Sequence, residues 1–144
     1  MLSYSEARYV ITEISRIDFY RQCIAKYQTQ IDDLEKEKLD LTVPTSPNGH
    51  ESIGEAKGNA VSDYTRQLID IIARQDEIKK EQFHFIGMLK KAEAYLDELM
   101  RSPNADYVED YLKTRDKRSL QEKYDISNAY DRMVRIIRSE VNKF

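Results

Sequence analysis

The sequence predicts an all-α protein, in which a long antiparallel, coiled-coil-like helical hairpin precedes a C-terminal helix-turn-helix bundle. Charged residues make up 34% of the chain and only four of its residues are glycine, which is typical of exposed helices. Two long segments repeat apolar residues at coiled-coil spacing on either side of a loop rich in proline and glycine. Three shorter amphipathic segments follow near the C-terminus.

The first helix is expected to begin at Ser3 and to end near Asp40. Ser3 and Glu6 have the spacing of a capping box, in which the two side chains satisfy free backbone N–H groups at a helix start. The apolar residues that follow lie in two heptad rows, which indicates a helix packed along a partner. These rows are Val10, Ile17, Ile24 and Ile31, and Tyr20, Tyr27, Leu34 and Leu41.

A surface loop is predicted for residues 42–60. This stretch holds three of the four glycines and two of the three prolines, and both residue types interrupt helices. The third proline, Pro103, marks a second break. We therefore predict a helical hairpin over residues 1–102, with dimerisation or another protein interaction as its role, and a DNA-binding helix-turn-helix domain over residues 103–144.

The second helix is expected to run from near Asn59 to about Arg101. One heptad row stays apolar through six repeats, which predicts a coiled-coil seam. The other row contains Gln75 and Gln82 in the middle of the seam, where polar side chains reduce stability and tend to set register or partner. The apolar row is Tyr64, Ile71, Ile78, Phe85, Ala92 and Leu99.

Two helices alone cannot enclose a core. Ile72, Phe83 and Ile86 lie beside the seam and widen the apolar face of the second helix. A further packing partner is therefore expected, either the C-terminal domain or a second copy of the chain. Of the two, we favour a homodimer built on the hairpin.

The C-terminal domain is expected to contain three short helices. The first carries Val108, Tyr111 and Leu112, and the second, with the sequence RSLQEKY, carries Leu120 and Tyr124. Asp125-Ile126-Ser127 forms the turn, and Ser127 is expected to cap the last helix. The apolar residues of that helix recur every three to four positions on an inner face, at Tyr130, Met133, Val134, Ile137 and Val141.

The outer face of the last helix is the candidate DNA-reading surface, because the second helix of a helix-turn-helix enters the major groove. Asn128, Arg132 and Arg135 are the expected base-reading residues, since asparagine pairs with adenine and arginine with guanine. Asp131 can accept from a cytosine amino group or be neutralised by Arg135. The full predicted DNA-binding set adds Ser127 at the helix start and the phosphate-contacting residues Arg115, Lys117, Arg118 and Lys123.

Two other interpretations of the C-terminal domain stay open. The C-terminal domain can be a packing module that touches no DNA. Its tyrosines can form a stacking platform for bases, although their helical spacing favours a core. The charge is modest in either case, with a net of −3 for the chain, +1 for residues 104–144 and −4 for residues 1–103. Attraction to DNA by bulk charge is therefore expected to be weak.

No enzymatic site, cofactor or metal is expected. The loop glycines lack the spacing of a phosphate-binding loop, and His50 and His84 are isolated from other ligand types. Cys23 is the only cysteine, so no intrachain disulfide can form. The N-terminus lacks the pattern of a secretion signal and no segment has the length and apolarity of a membrane span, which predicts a cytoplasmic protein without membrane contact.

Several segments resemble phage late-gene transcriptional regulators of the ArpU and RinA kind. They are TSPNG, GNAVSDYTRQLIDII and YVEDYLKTRDKRSLQEKYDISNAYDRMVRIIR. The C-terminal domain itself is similar to the fourth region of sigma factors. The resemblance implies a late-gene activator that a phage of Gram-positive bacteria encodes and that binds promoter DNA. The family's last helix begins with serine and basic residues, whereas this one begins Ser127-Asn128-Ala129 and carries Asp131, which implies a different operator.

An alternative of another class is a phage protein that acts by protein–protein contact. Its partner would be a host or mobile-element repressor, RNA polymerase or a defence protein. The modest basicity and Asp131 favour this hypothesis. A purely structural role in a virion or packaging complex is the third possibility.

Overall fold

A computed structural model of the protein describes residues 1–41, 54–142 and 144, and these residues form six α-helices and no strand. The predicted all-α class is therefore confirmed for this part of the chain. None of these helices is both long and apolar enough to cross a membrane. The helices are α1 (Tyr4–Ser15), α2 (Ile17–Asp40), α3 (Gly54–Met100), α4 (Ala105–Lys113), α5 (Lys117–Tyr124) and α6 (Ala129–Glu140).

The capping box at the start of α1 is confirmed. The Ser3 hydroxyl accepts from the Glu6 amide at 3.1 Å, and the Glu6 carboxylate accepts from the Ser3 amide at 2.9 Å. The prediction of one helix from Ser3 to Asp40 is wrong, because the helix breaks at Arg16. Beside the break, the Ser15 hydroxyl donates to the Ile11 carbonyl at 2.7 Å, a contact that bends helices.

The second long helix starts earlier than expected. Helix α3 begins at Gly54, so residues 54–60 are helical although the sequence places them in the loop. The rest of the predicted loop, residues 42–53, lies outside the described residues. The C-terminal end of α3 at Met100 is within one residue of the prediction.

The chain divides into two compact units, one of residues 1–21 and 86–144 and the other of residues 22–85. The predicted boundary between residues 102 and 103 differs from this division. The reason is that α1 packs against α6, at the opposite end of the chain. The Leu2 amide donates to the Arg138 carbonyl at 3.3 Å, and the Arg138 guanidinium donates to the Leu2 carbonyl at 2.9 Å.

The core of the first unit surrounds α6. Met133, Val134, Ile137 and Val141 are buried, as their spacing predicts, and Ile136 is buried as well. Tyr130 is half-buried instead of lying in the core. Helices α1, α4 and α5 contact α6. Other buried side chains of this unit are Ala7, Val10, Ile11 and Ile14 of α1; Ala92, Tyr95 and Leu99 of α3; and Tyr107, Val108, Tyr111 and Leu120 of α4 and α5.

In the second unit, α2 and α3 pair in opposite directions. The Gln75 amide donates to the Ile31 carbonyl at 3.3 Å, and the Gln82 amide donates to the Ile24 carbonyl at 3.2 Å. The later glutamine on α3 therefore bonds to the earlier residue on α2, as antiparallel helices require. Each glutamine bonds across the seam, which satisfies a polar group that would otherwise destabilise it.

Candidate nucleic-acid interface

Helix α5 begins at a side-chain cap. The Asp116 carboxylate accepts from the Arg118 amide at 3.0 Å and from the Ser119 hydroxyl at 2.9 Å. The hydrogen bond from Ser119 has the largest effect on the pKa of Asp116, and together with the bond from the Arg118 amide it holds this pKa below its usual range. Leu120 is buried beneath the helix. The position of α5 is therefore set by one capping residue and one apolar anchor.

The turn between α5 and α6 spans residues 125–128 and begins at Asp125. Asp125 has left-handed backbone angles, with φ of 53° and ψ of 53°, and is the one non-glycine residue with positive φ in the described part of the chain. The Ile126 amide then donates to the Gln121 carbonyl at 3.0 Å, which closes the end of α5. The turn has the four-residue length common in helix-turn-helix motifs.

Asn128, and not Ser127, caps α6. The Asn128 side-chain oxygen accepts from the Asp131 amide at 3.1 Å, and its backbone is extended at φ of −144° and ψ of 112°. The prediction that Ser127 caps this helix is wrong by one residue. Serine and asparagine cap helices about equally well, so residue type alone cannot choose between neighbours. The backbone angles of the turn make the choice.

Both preceding helices are bonded to Ala129, the first residue of α6. The Tyr107 hydroxyl on α4 donates to the Ala129 carbonyl at 2.6 Å. The Gln121 side chain on α5 accepts from the Ala129 amide at 2.9 Å. Burial raises the pKa of Tyr107 to about 12. Gln121 has no apolar or charge pattern that would have indicated this role in the sequence.

The tyrosines of the C-terminal helices are packed or bonded internally. Tyr107 and Tyr111 are buried, and the rings of Tyr107 and Tyr124 meet edge to face with centroids 5.0 Å apart. Tyr124 also donates its hydroxyl to Asp110 at 2.5 Å, and Tyr130 accepts from Arg8 at 3.2 Å. Core packing thus accounts for Tyr107, Tyr111 and Tyr124, and it leaves no flat stack for bases.

The predicted base-reading residues come together on one exposed stripe. Asn128, Asp131, Arg132 and Arg135 are all exposed, while the other sides of α6 are covered. They line a shallow depression of about 260 Å³ beside the turn. The sequence did not assign Ile126 to this surface. The full lining is Asp125, Ile126, Ser127, Asn128, Asp131, Arg132 and Arg135.

The guanidinium groups of Arg132 and Arg135 have no internal acceptor. The ion pairs of the C-terminal helices are Lys113 with Glu109 and Lys123 with Asp110, which leaves both arginines without one in the described ranges. Neutralisation by Arg135, one of the two roles open to Asp131, does not occur in the structure, where these two residues form no ion pair. Two unpaired cations and one unpaired anion therefore face solvent on this stripe.

The four predicted phosphate contacts fall into two groups. Arg115 and Arg118 are exposed. Lys117, by contrast, donates to the backbone carbonyls of Tyr111 at 2.5 Å and Thr114 at 3.0 Å, with its ammonium 3.6 Å from the Tyr111 ring centre. Burial lowers the pKa of Lys117. The residue is committed to holding α4 and α5 together.

Lys123 is also engaged internally. Its ammonium lies 2.8 Å from a carboxylate oxygen of Asp110 on α4. The Lys123 ammonium, followed by the Tyr124 hydroxyl, holds the pKa of Asp110 below its usual range. A phosphate would have to compete with Asp110 for this lysine. Arg115 and Arg118 are thus better placed for phosphate contacts than the two lysines.

The described residues contain no cluster of His, Cys, Asp and Glu side chains able to hold a metal ion. His84 is exposed on α3, and His50 lies outside the described residues. Comparison of the chain with protein-family models, with curated proteins and with solved structures gives no match. The identification of a function therefore rests on the exposed stripe of α6 and on the chemistry of its side chains.

Proposed function

We propose that the chain is a DNA-binding transcriptional regulator in which α5, the turn and α6 act as a helix-turn-helix. The observation that carries the proposal is the pair of unpaired guanidinium groups on Arg132 and Arg135, at the start of a helix whose other sides are buried. A recognition helix needs this combination, because its first two turns contact base edges while its inner side anchors it.

The side chains of the stripe favour guanine in the operator. Arginine reads guanine through two parallel hydrogen bonds to O6 and N7 in the major groove. Asn128 already uses its side-chain oxygen as the helix cap, so its bidentate pairing with adenine is disfavoured and its amide group remains as a donor. Asp131 can accept from the amino group of a cytosine. We therefore expect G·C pairs under the start of α6.

The remainder of the chain supplies the frame in this proposal. The antiparallel pairing within residues 22–85 supports a helical hairpin that sets the geometry of a homodimer. A dimer would read two half-sites related by its two-fold axis. The resemblance of the C-terminal segments to phage late-gene regulators supports a late-gene activator that a phage encodes and that works in the cytoplasm of the bacterial host.

Selection from random duplex DNA, followed by fluorescence anisotropy on the enriched sequence, tests this proposal. Each of Arg132→Ala and Arg135→Ala is expected to weaken binding by roughly 5- to 150-fold, the value of a bidentate base contact. Arg66→Ala is the matched control, since it removes the same charge from an exposed position on α3. No enriched sequence, or equal losses in all three variants, would contradict base reading by α6.

The phosphate contacts have a distinct signature. Arg115→Ala and Arg118→Ala are expected to weaken binding to all sequences alike and to lower the dependence of log K on log salt by about one each. Lys117→Ala is expected to reduce the stability of the domain before it affects binding, because its ammonium bonds α4 to α5. An unchanged salt slope in both arginine variants would exclude them from the interface.

A second function is favoured by Asp131, whose unpaired carboxylate lies on the same exposed stripe as the two arginines. A stripe that presents both charge signs suits a protein partner such as bacterial RNA polymerase or a regulatory protein. Binding of purified polymerase that Asp131→Ala abolishes, together with no enrichment of any DNA sequence, would select this function over DNA reading.

A further inference from the structure

The outer face of α3 in the second unit carries an apolar stripe that none of the described residues of that unit covers. Phe83 is 76% exposed, Ile69 60% and Ile72 40%. This face is separate from the seam that α3 forms with α2. Ile71 and Gln75 are buried in that seam. Large apolar side chains that remain exposed on one face of a helix mark an interaction surface.

The exposed positions of this face follow a second heptad pattern. Successive members are separated by alternating steps of four and three residues, the spacing of the a and d positions of a coiled coil. The pattern has charged residues at two central positions, with apolar residues on both sides of them and a threonine at its start. The stripe consists of Thr65, Ile69, Ile72, Asp76, Lys79 and Phe83, all exposed.

We propose that this stripe, defined by these six residues, binds the same stripe of a second copy in antiparallel orientation. Antiparallel coiled coils place a positions against d positions of the partner. Of the alignments that follow this rule, one pairs unlike charges: Phe83 packs on Ile72 of the other copy, and Asp76 faces Lys79 of the other copy. Thr65 and Ile69 lie beyond these pairs. The two-fold symmetry repeats each contact, as an interface between identical chains requires.

Charge complementarity favours this partner and this orientation. The neighbouring ion pairs on α3 involve Arg66 with Asp63 and Arg74 with Glu37, and Asp76 and Lys79 form no ion pair within the described residues. Lys79 also interacts electrostatically with Glu35 on α2. In the antiparallel alignment, each of these two charges meets the opposite charge. In a parallel, in-register alignment, Asp76 would face Asp76 and Lys79 would face Lys79, which is repulsive.

This interface gives the proposed homodimer a specific contact surface, and it rests on the proposed function only for the existence of a dimer. Its test uses no DNA, so a failure here and a failure of base reading are separate results. Sedimentation equilibrium of the full chain measures the dimer. Asp76→Lys and Lys79→Asp are each expected to raise the dimer dissociation constant by about tenfold or more, since each creates two like-charge contacts.

Combining the charges distinguishes the interface from general destabilisation. The double variant with Asp76→Lys and Lys79→Asp is expected to dimerise like the wild type, and an equal mixture of the two single variants is expected to form a heterodimer. Glu77→Lys is the control, an equivalent charge reversal at an adjacent exposed position outside the stripe. Circular dichroism checks that every variant is folded.

Cysteine cross-linking tests the orientation. In a Cys23→Ser background, a mixture of Ile72→Cys and Phe83→Cys chains is expected to form a disulfide-linked dimer, while neither variant does so alone. Cross-linking of Ile72→Cys with itself would overturn the antiparallel alignment. A folded wild-type chain that stays monomeric, or no rescue by the double charge reversal, would overturn the interface.

Discussion

The Tyr107 hydroxyl donates to the Ala129 carbonyl at 2.6 Å, so a buried hydrogen bond joins α4 to the first residue of α6. Gln121 on α5 accepts from the amide of the same residue at 2.9 Å. The start of α6 is thereby fixed from two sides. This is the part of the helix that carries Arg132, and its position decides where the unpaired guanidinium groups point.

Tyr107→Phe is expected to reduce the free energy of unfolding by about 1–2 kcal/mol, because it removes a buried hydrogen bond while keeping the ring. Urea denaturation followed by circular dichroism measures the change. Tyr130→Phe is the matched control. It removes a hydroxyl whose bond to Arg8 is exposed, and it is expected to change stability by less than about 0.5 kcal/mol. Equal effects of both substitutions would contradict a special role for Tyr107.

Stability is expected to fall between pH 10 and about pH 12 through the ionisation of Tyr107. Burial raises the pKa of this phenol from 10.0 to about 12. The folded state therefore favours the neutral form, and the stabilisation is complete below pH 10 and lost as the pH rises through the folded pKa. Urea denaturation across this range measures the decline.

Tyr107→Phe supplies the comparison for this pH dependence. The other buried tyrosines titrate in both proteins and cancel in the difference between them. The stability advantage of the wild type over Tyr107→Phe is thus expected to shrink as the pH rises. A difference that stays constant up to pH 12 would show that the ionisation of Tyr107 is not linked to folding.

Asn128→Ala is expected to cost about 1 kcal/mol of stability, the usual loss when a helix N-cap is removed. Ser127→Ala is the neighbouring control and is expected to change stability by less than about 0.5 kcal/mol, because Ser127 is exposed and does not cap α6. Thermal unfolding of both variants compares the two positions. A larger loss in Ser127→Ala than in Asn128→Ala would restore serine as the cap.

Asp125→Gly is expected to stabilise the protein by roughly 0.5–1 kcal/mol. Asp125 has a φ of 53°, and glycine adopts this left-handed conformation without the steric cost that other residues incur. Glu122→Gly, in the last turns of α5, is expected to destabilise by about 0.5–1 kcal/mol for the opposite reason. Guanidinium denaturation of both variants checks the signs, and destabilisation by Asp125→Gly would refute the strain at this turn.

Local patterns predicted the parts of the fold that depend on neighbouring residues. The capping box at Ser3 and four of the five predicted buried positions on the last helix are as expected, because helix capping and apolar periodicity act over one or two turns. The break at Arg16 was not predicted, since the heptad spacing continues from Val10 to Ile17 across it. A heptad pattern predicts which face of a segment is buried. It does not predict whether the backbone stays helical between two successive apolar residues of the pattern.

The sequence predicted the candidate site as a set of residues, and the tertiary structure shows which of their charged groups are free to contact a ligand. Arg132 and Arg135 were chosen for their place on the outer face, and they are exposed without an internal partner in the described part of the chain. Lys117 and Lys123 were chosen by charge alone, and both ammonium groups are held by α4. Charge is visible in a sequence, whereas the acceptor that a folded chain brings to it is not.

The sequence by itself determined the helical class, the inner face of α6 and the kinds of side chain on its outer face, because helical periodicity is a local property of the chain. Only the tertiary structure decided that α1 packs on α6, through the bonds between Leu2 and Arg138. Contacts between residues so far apart depend on how all the helices share one core, and no local pattern encodes that arrangement.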